Sequence, residues 1–482
     1  MHAFRTLWFI GIIISFLGLS MAVPLCVSLL YQDGSATAFL VSMLITVGMG
    51  FLLFVITRRE HETSLNHRDG VAVVTFGWLA AGLAGAVPYL VSGAIPGFTD
   101  AYFESLSGFT TTGASILTEI EGLPKGILLW RSITQWFGGM GIIVLSIAIL
   151  PFLGIGGMQL YKAEVPSPVV DKLKPRISET AKTLWKVYLL ITALQVVLLF
   201  LGGMSLFDAV CHAFCTMPTG GFSPRNASIA AYNSPYIDGV VIIFMLLAGI
   251  NFSLHYRLIK GDLTLYGRDS ECRVVLIMVG LFIVLITLEI YGPVYDSISA
   301  AFRYAAFQVS SIITTTGFVT ADYGKWPPFS QKLLVLCMFF GAMAGSTGGG
   351  IKTMRLILLA KAAYQEIFRI IHPHAITRVK LGGKVVPNEI LDSVWGFLVL
   401  YLSLFVLSAM IMASLGLDII SAFTSVAACI FNIGPGLGLV GPVSNYQGVP
   451  LLGKWVLIFC MLAGRLEVYT VIVLLIPEYW RK

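Results

Sequence analysis

Charge is what this sequence has little of. Only 12% of its 482 residues are charged, half the roughly 25% of a soluble domain, while 57% are hydrophobic and the mean hydropathy is +0.87. So few charges cannot solvate a globule of this length, which excludes soluble enzymes, nucleic-acid binders and disordered chains. Cysteine chemistry is missing as well. The seven cysteines, Cys26, Cys211, Cys215, Cys272, Cys337, Cys429 and Cys460, show neither zinc spacing nor a secreted-disulfide pattern, and they read as small apolar packing residues. Enzyme motifs are also absent: no His-Glu-x-x-His, no acidic prenyl-diphosphate motif and no Gly-x-Ser-x-Gly elbow occurs. Gly436-Leu437-Gly438-Leu439-Val440-Gly441 formally matches a dinucleotide fingerprint but follows no soluble strand, and Ile351 separates Gly350 from Lys352 where a P-loop needs them adjacent. What is present in quantity is apolar sequence with 49 glycines and 31 phenylalanines, the composition of packed membrane helices. The chain reads as an all-α polytopic membrane protein and not as an enzyme.

A spanning helix needs about 20 apolar residues, and ten such runs occur, at 6–31, 36–57, 71–93, 127–153, 183–204, 236–259, 273–292, 330–360, 391–415 and 451–476. No small-residue cleavage site precedes Gln32-Asp33-Gly34, so the first two runs read as a hairpin rather than a signal peptide. Four shorter segments, 99–114, 205–222, 296–318 and 418–437, are too rich in hydroxyls and glycine to face lipid and suit re-entrant pieces shielded by protein. With the N-terminus inside, 23 of the 31 lysines and arginines fall on the cytoplasmic side and seven outside, leaving Arg465 within the last run. That asymmetry is the positive-inside signal. It predicts that both termini are cytoplasmic and that the re-entrant segments enter from outside.

The re-entrant segments reveal a fourfold repeat. Each ends in a glycine motif: Thr110-Thr111-Thr112-Gly113-Ala114, Met217-Pro218-Thr219-Gly220-Gly221-Phe222, Thr314-Thr315-Thr316-Gly317-Phe318 and Asn432-Ile433-Gly434-Pro435-Gly436. Taking Gly113, Gly220, Gly317 and Gly434 as the key glycines, they recur about 100 to 120 residues apart, each between two spans. The predicted organisation is an N-terminal transmembrane hairpin (1–65) followed by four span–pore helix–span units around a central pore: 66–165, 166–265, 266–385 with an interrupted second span, and 386–482.

Four glycine loops at one depth can turn backbone carbonyls inward, because glycine tolerates left-handed dihedrals and close approach. A ring of carbonyls replaces the hydration shell of a cation. Pore helices aimed C-terminus first at the centre add a partial negative charge there. The predicted binding backbone is Thr111, Thr112, Gly113, Thr219, Gly220, Thr315, Thr316, Gly317, Asn432, Ile433 and Gly434. Asp100, Glu104, Asp208, Asp296, Asp322 and Asp418 cluster near the helix starts, where they would cap the helices and draw cations to the mouth.

On these motifs the sequence resembles the TrkH subunits of bacterial potassium-uptake systems, within the superfamily that includes Ktr and plant HKT transporters, over essentially its whole length. The same resemblance is carried by Trp136-Phe137-Gly138-Gly139-Met140-Gly141, Asn251-Phe252 before His255-Tyr256-Arg257, the stretch from Ala344 through Lys352, and Gly464-Arg465-Leu466-Glu467. The extra N-terminal hairpin favours TrkH over the shorter Ktr relatives. The second loop departs from the family pattern in having Met217-Pro218 where hydroxyl residues are common. Glycine at all four filter positions implies K⁺ (and Rb⁺), and serine at the first would imply sodium. The resemblance also implies a multi-pass protein of the bacterial cytoplasmic membrane, a homodimer with one pore per protomer, and a separate cytosolic ring-forming regulator (TrkA-like) that binds NAD or ATP. No cofactor is expected in this chain itself, and nucleotide is expected only on the regulator. Docking would fall on the basic loop 361–390, with Lys361, Arg369, Arg378, Lys380 and Lys384.

Two features lie where a gate belongs. Gly345, Ser346, Thr347, Gly348, Gly349 and Gly350 interrupt the run 330–360 with helix-poor residues. Non-helical backbone at membrane depth must line water or be covered by protein, so the segment reads as a loop below the filter that blocks or clears the pore; the alternative is a static kink. Arg465 lies in the last apolar run, an expensive place for a cation. The resemblance favours an electrostatic barrier there over a packing arginine. The driving force stays open between membrane potential acting on a gated pathway and coupling to H⁺ or Na⁺. For coupling, Glu289, His212, His255 and Glu467 are the titratable candidates. A membrane-embedded lipid enzyme is the remote alternative, and the buried Asp or His cluster it needs is absent from the sequence.

Overall fold

A computed structural model describes residues 3–57, 67–148, 177–262, 264–375 and 377–481. The end of the run 127–153, the basic residues Arg58, Arg59, Lys162, Lys172, Lys174 and Arg176, and the boundary between the first two repeats lie outside the described residues.

The N-terminal hairpin is α1 (Ala3–Ser20), α2 (Ala22–Tyr31) and α3 (Ala36–Thr57). Lipid tails are as apolar as leucine, so helices associate in a membrane through close packing at small residues. Gly50 shows this: a methyl added to it would lie 2.6 Å from Ser15 N and 2.7 Å from Gly11 O, so α3 crosses α1 backbone to backbone. The outward faces keep Leu44, Phe51, Leu52 and Ile56 exposed, as lipid-facing side chains are. Asp33, in the turn before α3, accepts from Ser28 Oγ, from Ser35 N and Oγ (2.9 and 2.8 Å) and from Gly126 N (2.7 Å). It thereby fastens the hairpin to the first repeat. Burial pushes its carboxyl up, but those hydrogen bonds outweigh burial and hold it below the ordinary carboxylate value.

The four units follow in order. The first is α4 (His67–Val91), α5 (Phe98–Phe109) and α6 (Lys125–Ala148). The second is α7 (Ile177–Leu201), α8 (Leu206–Thr216), α9 (Pro235–Gly249) and α10 (Phe252–Ile259). The third is α11 (Ser270–Ile290), α12 (Ile298–Ile313), α13 (Pro328–Met338) and α14 (Thr353–Ile371). The fourth is α15 (Asn388–Ser414), α16 (Ile419–Ile430), α17 (Leu451–Arg465) and α18 (Val468–Ile472). A two-stranded hairpin, β1 (Lys380–Leu381) and β2 (Lys384–Val385), follows α14. Among the described residues, six helices are long and apolar enough to cross a membrane, Phe4–Tyr31, Ala36–Thr57, Arg68–Val91, Glu179–Leu201, Ser270–Ile290 and Asn388–Ser414.

The short helices α5, α8, α12 and α16 are the semi-polar re-entrant segments. Their inner halves are buried on every side, including Ser105, Ser107, Thr216, Ser310, Ser311 and Ser425, which no lipid-facing helix could tolerate. Their first turns are capped unequally. Ser205 Oγ accepts from Asp208 N at 3.1 Å and Asp418 Oδ2 from Ser421 N at 3.1 Å, while Gly97 and Ser297 make no side-chain cap bond.

Two apolar runs expected as single spans are bent. Pro235–Gly249 and Phe252–Ile259 meet at 106°, and Leu451–Arg465 and Val468–Leu475 at 119°. The first bend is set by Asn251, whose Oδ1 accepts from Ser253 N at 2.8 Å and restarts the helix in a new direction. At the second, Glu467 takes φ +65. Hydropathy stays high through both breaks, so periodicity could not register them.

Candidate functional site

The four loops after α5, α8, α12 and α16 share one backbone pattern. Thr111, Thr219, Thr315 and Asn432 lie in the left-handed region (φ 51 to 58), and two residues on so do Gly113, Gly221, Gly317 and Gly434 (φ 78 to 96). The hydrogen bonds repeat in the same register. Thr112 N, Gly220 N, Thr316 N and Ile433 N each donate to the carbonyl five residues back, on Ser107, Cys215, Ser311 and Ala428, at 2.8–2.9 Å. Left-handed residues on either side of an ordinary one turn successive peptide planes toward the same side, which a regular strand cannot do.

This register corrects one expectation. The counterpart of Gly113, Gly317 and Gly434 is Gly221, and Gly220 stands with Thr112, Thr316 and Ile433. Two consecutive glycines made the alignment ambiguous by one residue, and the backbone dihedrals settle it.

The loops close on one another in cyclic order. A methyl added to Gly113 would lie 2.2 Å from Gly220 O; at Gly221, 2.1 Å from Thr316 O; at Gly317, 1.9 Å from Ile433 O; at Gly434, 2.8 Å from Thr112 O. The key glycine of each repeat thus abuts the middle carbonyl of the next, and the fourth returns to the first. No side chain fits at these four positions, because backbone already fills the space. All eleven residues expected to form the binding backbone are in this one assembly.

On the side where the pore helices begin, the ring opens into a cavity of about 90 Å³ lined by Gly113, Gly221, Gly317 and Gly434 with Arg131 and Arg225. Both arginines are paired. Arg131 Nη2 lies 2.9 Å from Glu104 Oε1, both fully buried, and Nη1 donates to Ser223 O at 3.1 Å. Arg225 Nη2 lies 2.7 Å from Asp208 Oδ2. Glu104 and Asp208, expected to cap pore helices and draw cations to the mouth, are partners of arginine, and they hold the loops around the cavity. Lys454, counted with the outer charges, likewise pairs with Asp100 at 2.6 Å.

Against the opposite side of the ring lies the irregular segment 339–352. Thr347 Oγ1 donates toward Met217 O (2.8 Å) and Ala248 O (3.1 Å), and Gly349 N donates to Thr315 Oγ1 (2.7 Å). A methyl on Gly349 would lie 2.7 Å from Asn432 Cβ. Glu271 Oε1 accepts from both Ala344 N (3.1 Å) and Met354 N (2.9 Å), clamping the two ends of the segment. Arg465, the last residue of α17 and 3% exposed, donates from Nη1 to Thr347 O (2.7 Å) and from Nη2 to Gly138 O (3.2 Å). It thus bridges the segment to α6. Thr347 O also accepts from Thr219 Oγ1 at 3.1 Å, so ring, segment and arginine form one network. Lys352 Nζ donates to Gly348 O, and Glu467 pairs with Arg355 at 2.8 Å.

Of the titratable candidates, His212 and His255 have fixed tautomers. A carbonyl only accepts, so His212 Nδ1 donates to Asp208 O (2.8 Å) and Nε2 accepts from Ser223 Oγ (3.0 Å). His255 Nε2 donates to Leu247 O (2.8 Å) and Nδ1 accepts from Tyr266 Oη (2.7 Å). Glu289 stands near the far end of α11. Sequence reasoning missed Gln135, Glu271 and Tyr446. The last donates from Oη to Gly434 O at 2.6 Å, and no local pattern marks any of the three.

The profile of the TrkH family, described as a cation transport protein, matches residues 37–482. The Trk system potassium uptake protein TrkH of Salmonella typhimurium is 43% identical over 478 residues, covering 98% of either chain. The Trk system potassium uptake protein TrkG of Escherichia coli is 35% identical, covering 98% of this chain and 97% of its own. The crystal structure of the potassium transporter TrkH from Vibrio parahaemolyticus superposes with a TM-score of 0.91 at 39% identity, covering both chains completely. A whole-length match in sequence and in fold leaves one assignment: this all-α, multi-pass membrane protein belongs to the TrkH family of cation transport proteins.

Proposed function

We propose that this chain takes up K⁺ across a bacterial cytoplasmic membrane through the four-loop ring. The observation that carries the reading is the cyclic closure of the ring: four middle carbonyls, of Thr112, Gly220, Thr316 and Ile433, each seated against the glycine of the preceding repeat. Dehydrating an ion is repaid only by oxygens already held in place, and the repeated hydrogen bonds hold these. The potassium-uptake names of whole-length relatives support K⁺ as the ion. The segment 344–350 is the gate, closed here by its bonds to the ring, and Arg465 is both its tether and a buried positive charge in the cation path.

Flux is driven by membrane potential, worth about 2.3 kcal/mol per charge per 100 mV. This is supported by the histidines, whose ring nitrogens are both held by fixed partners. Both termini face the cytoplasm, where the basic loops lie. The chain works as a homodimer under a cytosolic nucleotide-binding regulator that docks on the basic region 361–390. The test is ⁸⁶Rb⁺ uptake into proteoliposomes with voltage and pH gradients imposed separately. Uptake that follows voltage at zero pH gradient is the expected result. Uptake that requires a proton gradient at fixed voltage would replace the gated pathway by a symporter.

A further inference from the structure

In the first and third loops the middle residue braces its own loop. Thr112 Oγ1 lies 2.8 Å from Thr110 Oγ1, and Thr316 Oγ1 lies 2.8 Å from Thr314 Oγ1. The second loop has no such means, because Pro218 stands where the partner threonine would be and Gly220 has no side chain. The place is filled from another helix. Gln135 of α6, fully buried, donates from Nε2 to Gly220 O at 2.6 Å and accepts at Oε1 from Phe222 N at 3.1 Å. Its amide orientation follows from the partners, since a carbonyl only accepts and a backbone N–H only donates. A methyl added to Gly220 would lie 2.4 Å from Gln135 Cδ and Oε1. Gly220 is therefore glycine because Gln135 occupies the space, whereas Gly221 is glycine because of its dihedral and the neighbouring backbone.

We propose that Gln135 is a positioning and specificity-determining residue of the cation ring; the proposal rests on the reading of that ring as the ion-binding site. The amide acts in two ways. It fixes the loop on both sides of the middle carbonyl, and its N–H dipole offsets part of the negative field of Gly220 O, one of the four ring oxygens. Na⁺ holds its water more tightly than K⁺, so a strong-field site repays the dehydration of Na⁺ and a weak-field site does not. By weakening one carbonyl and preventing the loop from closing in, Gln135 biases the ring toward the larger ion.

The test is ⁸⁶Rb⁺ uptake into vesicles from cells that produce the full chain in a host stripped of its own K⁺ uptake, with K⁺ and Na⁺ as competitors. Gln135→Leu removes both hydrogen bonds and Gln135→Glu removes only the donor. Each is expected to lower the K⁺-over-Na⁺ preference of the remaining uptake by about two- to tenfold, the factor that one net hydrogen bond converts to. Gly220→Ala alone is expected to abolish uptake, and Gln135→Ala in the same chain to recover part of it, the non-additivity expected of two groups that compete for one space. A preference unchanged in both Gln135 variants, or Gly220→Ala as active as wild type, overturns the proposal with the ring reading intact. A wild-type chain that does not discriminate K⁺ from Na⁺ overturns the ring reading, and the role of Gln135 falls with it.

Discussion

If the segment 344–350 gates the pathway as proposed, Arg465→Ala should make it leaky. The guanidinium is buried and donates to Thr347 O at 2.7 Å and to Gly138 O at 3.2 Å. A hydrogen bond from a charged donor contributes about 1.5–3 kcal/mol net, and only the shorter of the two is counted at that value. The segment keeps its other ties, Thr347 Oγ1 to Met217 O and Ala248 O and Gly349 N to Thr315 Oγ1, so the substitution loosens the segment without freeing it. A shift of that size between closed and open arrangements is roughly a 10- to 150-fold rise in the open population. On the proposed path for the cation, removing this buried positive charge acts in the same direction. The assay is K⁺ efflux from proteoliposomes holding the purified chain, beside a thermal unfolding curve. Arg465→Lys keeps the charge but lacks the planar fork that spans two carbonyls, and an intermediate flux is predicted for it. Efflux from Arg465→Ala equal to that of wild type, in protein of equal thermal stability, would refute the tether.

Three further outcomes follow from the same geometry. Glu271→Ala strands the N–H groups of Ala344 and Met354, each worth about 1–3 kcal/mol when buried without an acceptor; a stability loss of roughly 2–6 kcal/mol and a raised leak are expected, and an unshifted unfolding curve would contradict it. Glu104→Ala leaves Arg131 as an uncompensated buried charge, at about 3–5 kcal/mol, and the double replacement with Arg131→Met should regain part of that loss in detergent-solubilised protein. Asp33 is a carboxylate held below its ordinary pKa, with hydrogen bonds outweighing burial, so its contribution is present above the unfolded value near 3.8 and is lost as pH falls through the lower folded value. Stability measured from pH 6 down to pH 2.5 should drop in that acid window, and Asp33→Asn should flatten the drop; parallel curves would count against the anchoring role.

Much of the architecture was written in local sequence. Apolar length and hydroxyl content separated spanning helices from α5, α8, α12 and α16, because lipid tolerates no unsatisfied backbone and few buried hydroxyls. The repeated glycine motifs marked the ring, since left-handed dihedrals and the near approach of backbone restrict those sites to glycine. What sequence could not supply was anything depending on a partner distant along the chain. Gly220 and Gly221 are indistinguishable until Gln135, 85 residues away, is seen to account for the first. Glu467 is badly placed to meet Arg465 on a continuous helix; the bend at Leu466 removes the question and gives it Arg355. By position in the sequence Arg131 and Lys454 count among the seven outer charges, yet both are buried in ion pairs with acids of α5. The bends at Asn251 and Glu467 escaped because hydropathy measures composition and is blind to direction.

The central claim is that the middle carbonyls of four unlike repeats form one cation site. Crystals grown in Rb⁺ or Tl⁺ and measured at the anomalous edge test it directly. The account predicts anomalous density on the ring axis, within coordinating distance of the carbonyls of Thr112, Gly220, Thr316 and Ile433, and displaced by K⁺ far more readily than by Na⁺. Density confined to the arginine-lined cavity or to the lipid-facing surface, with the ring empty, would contradict it.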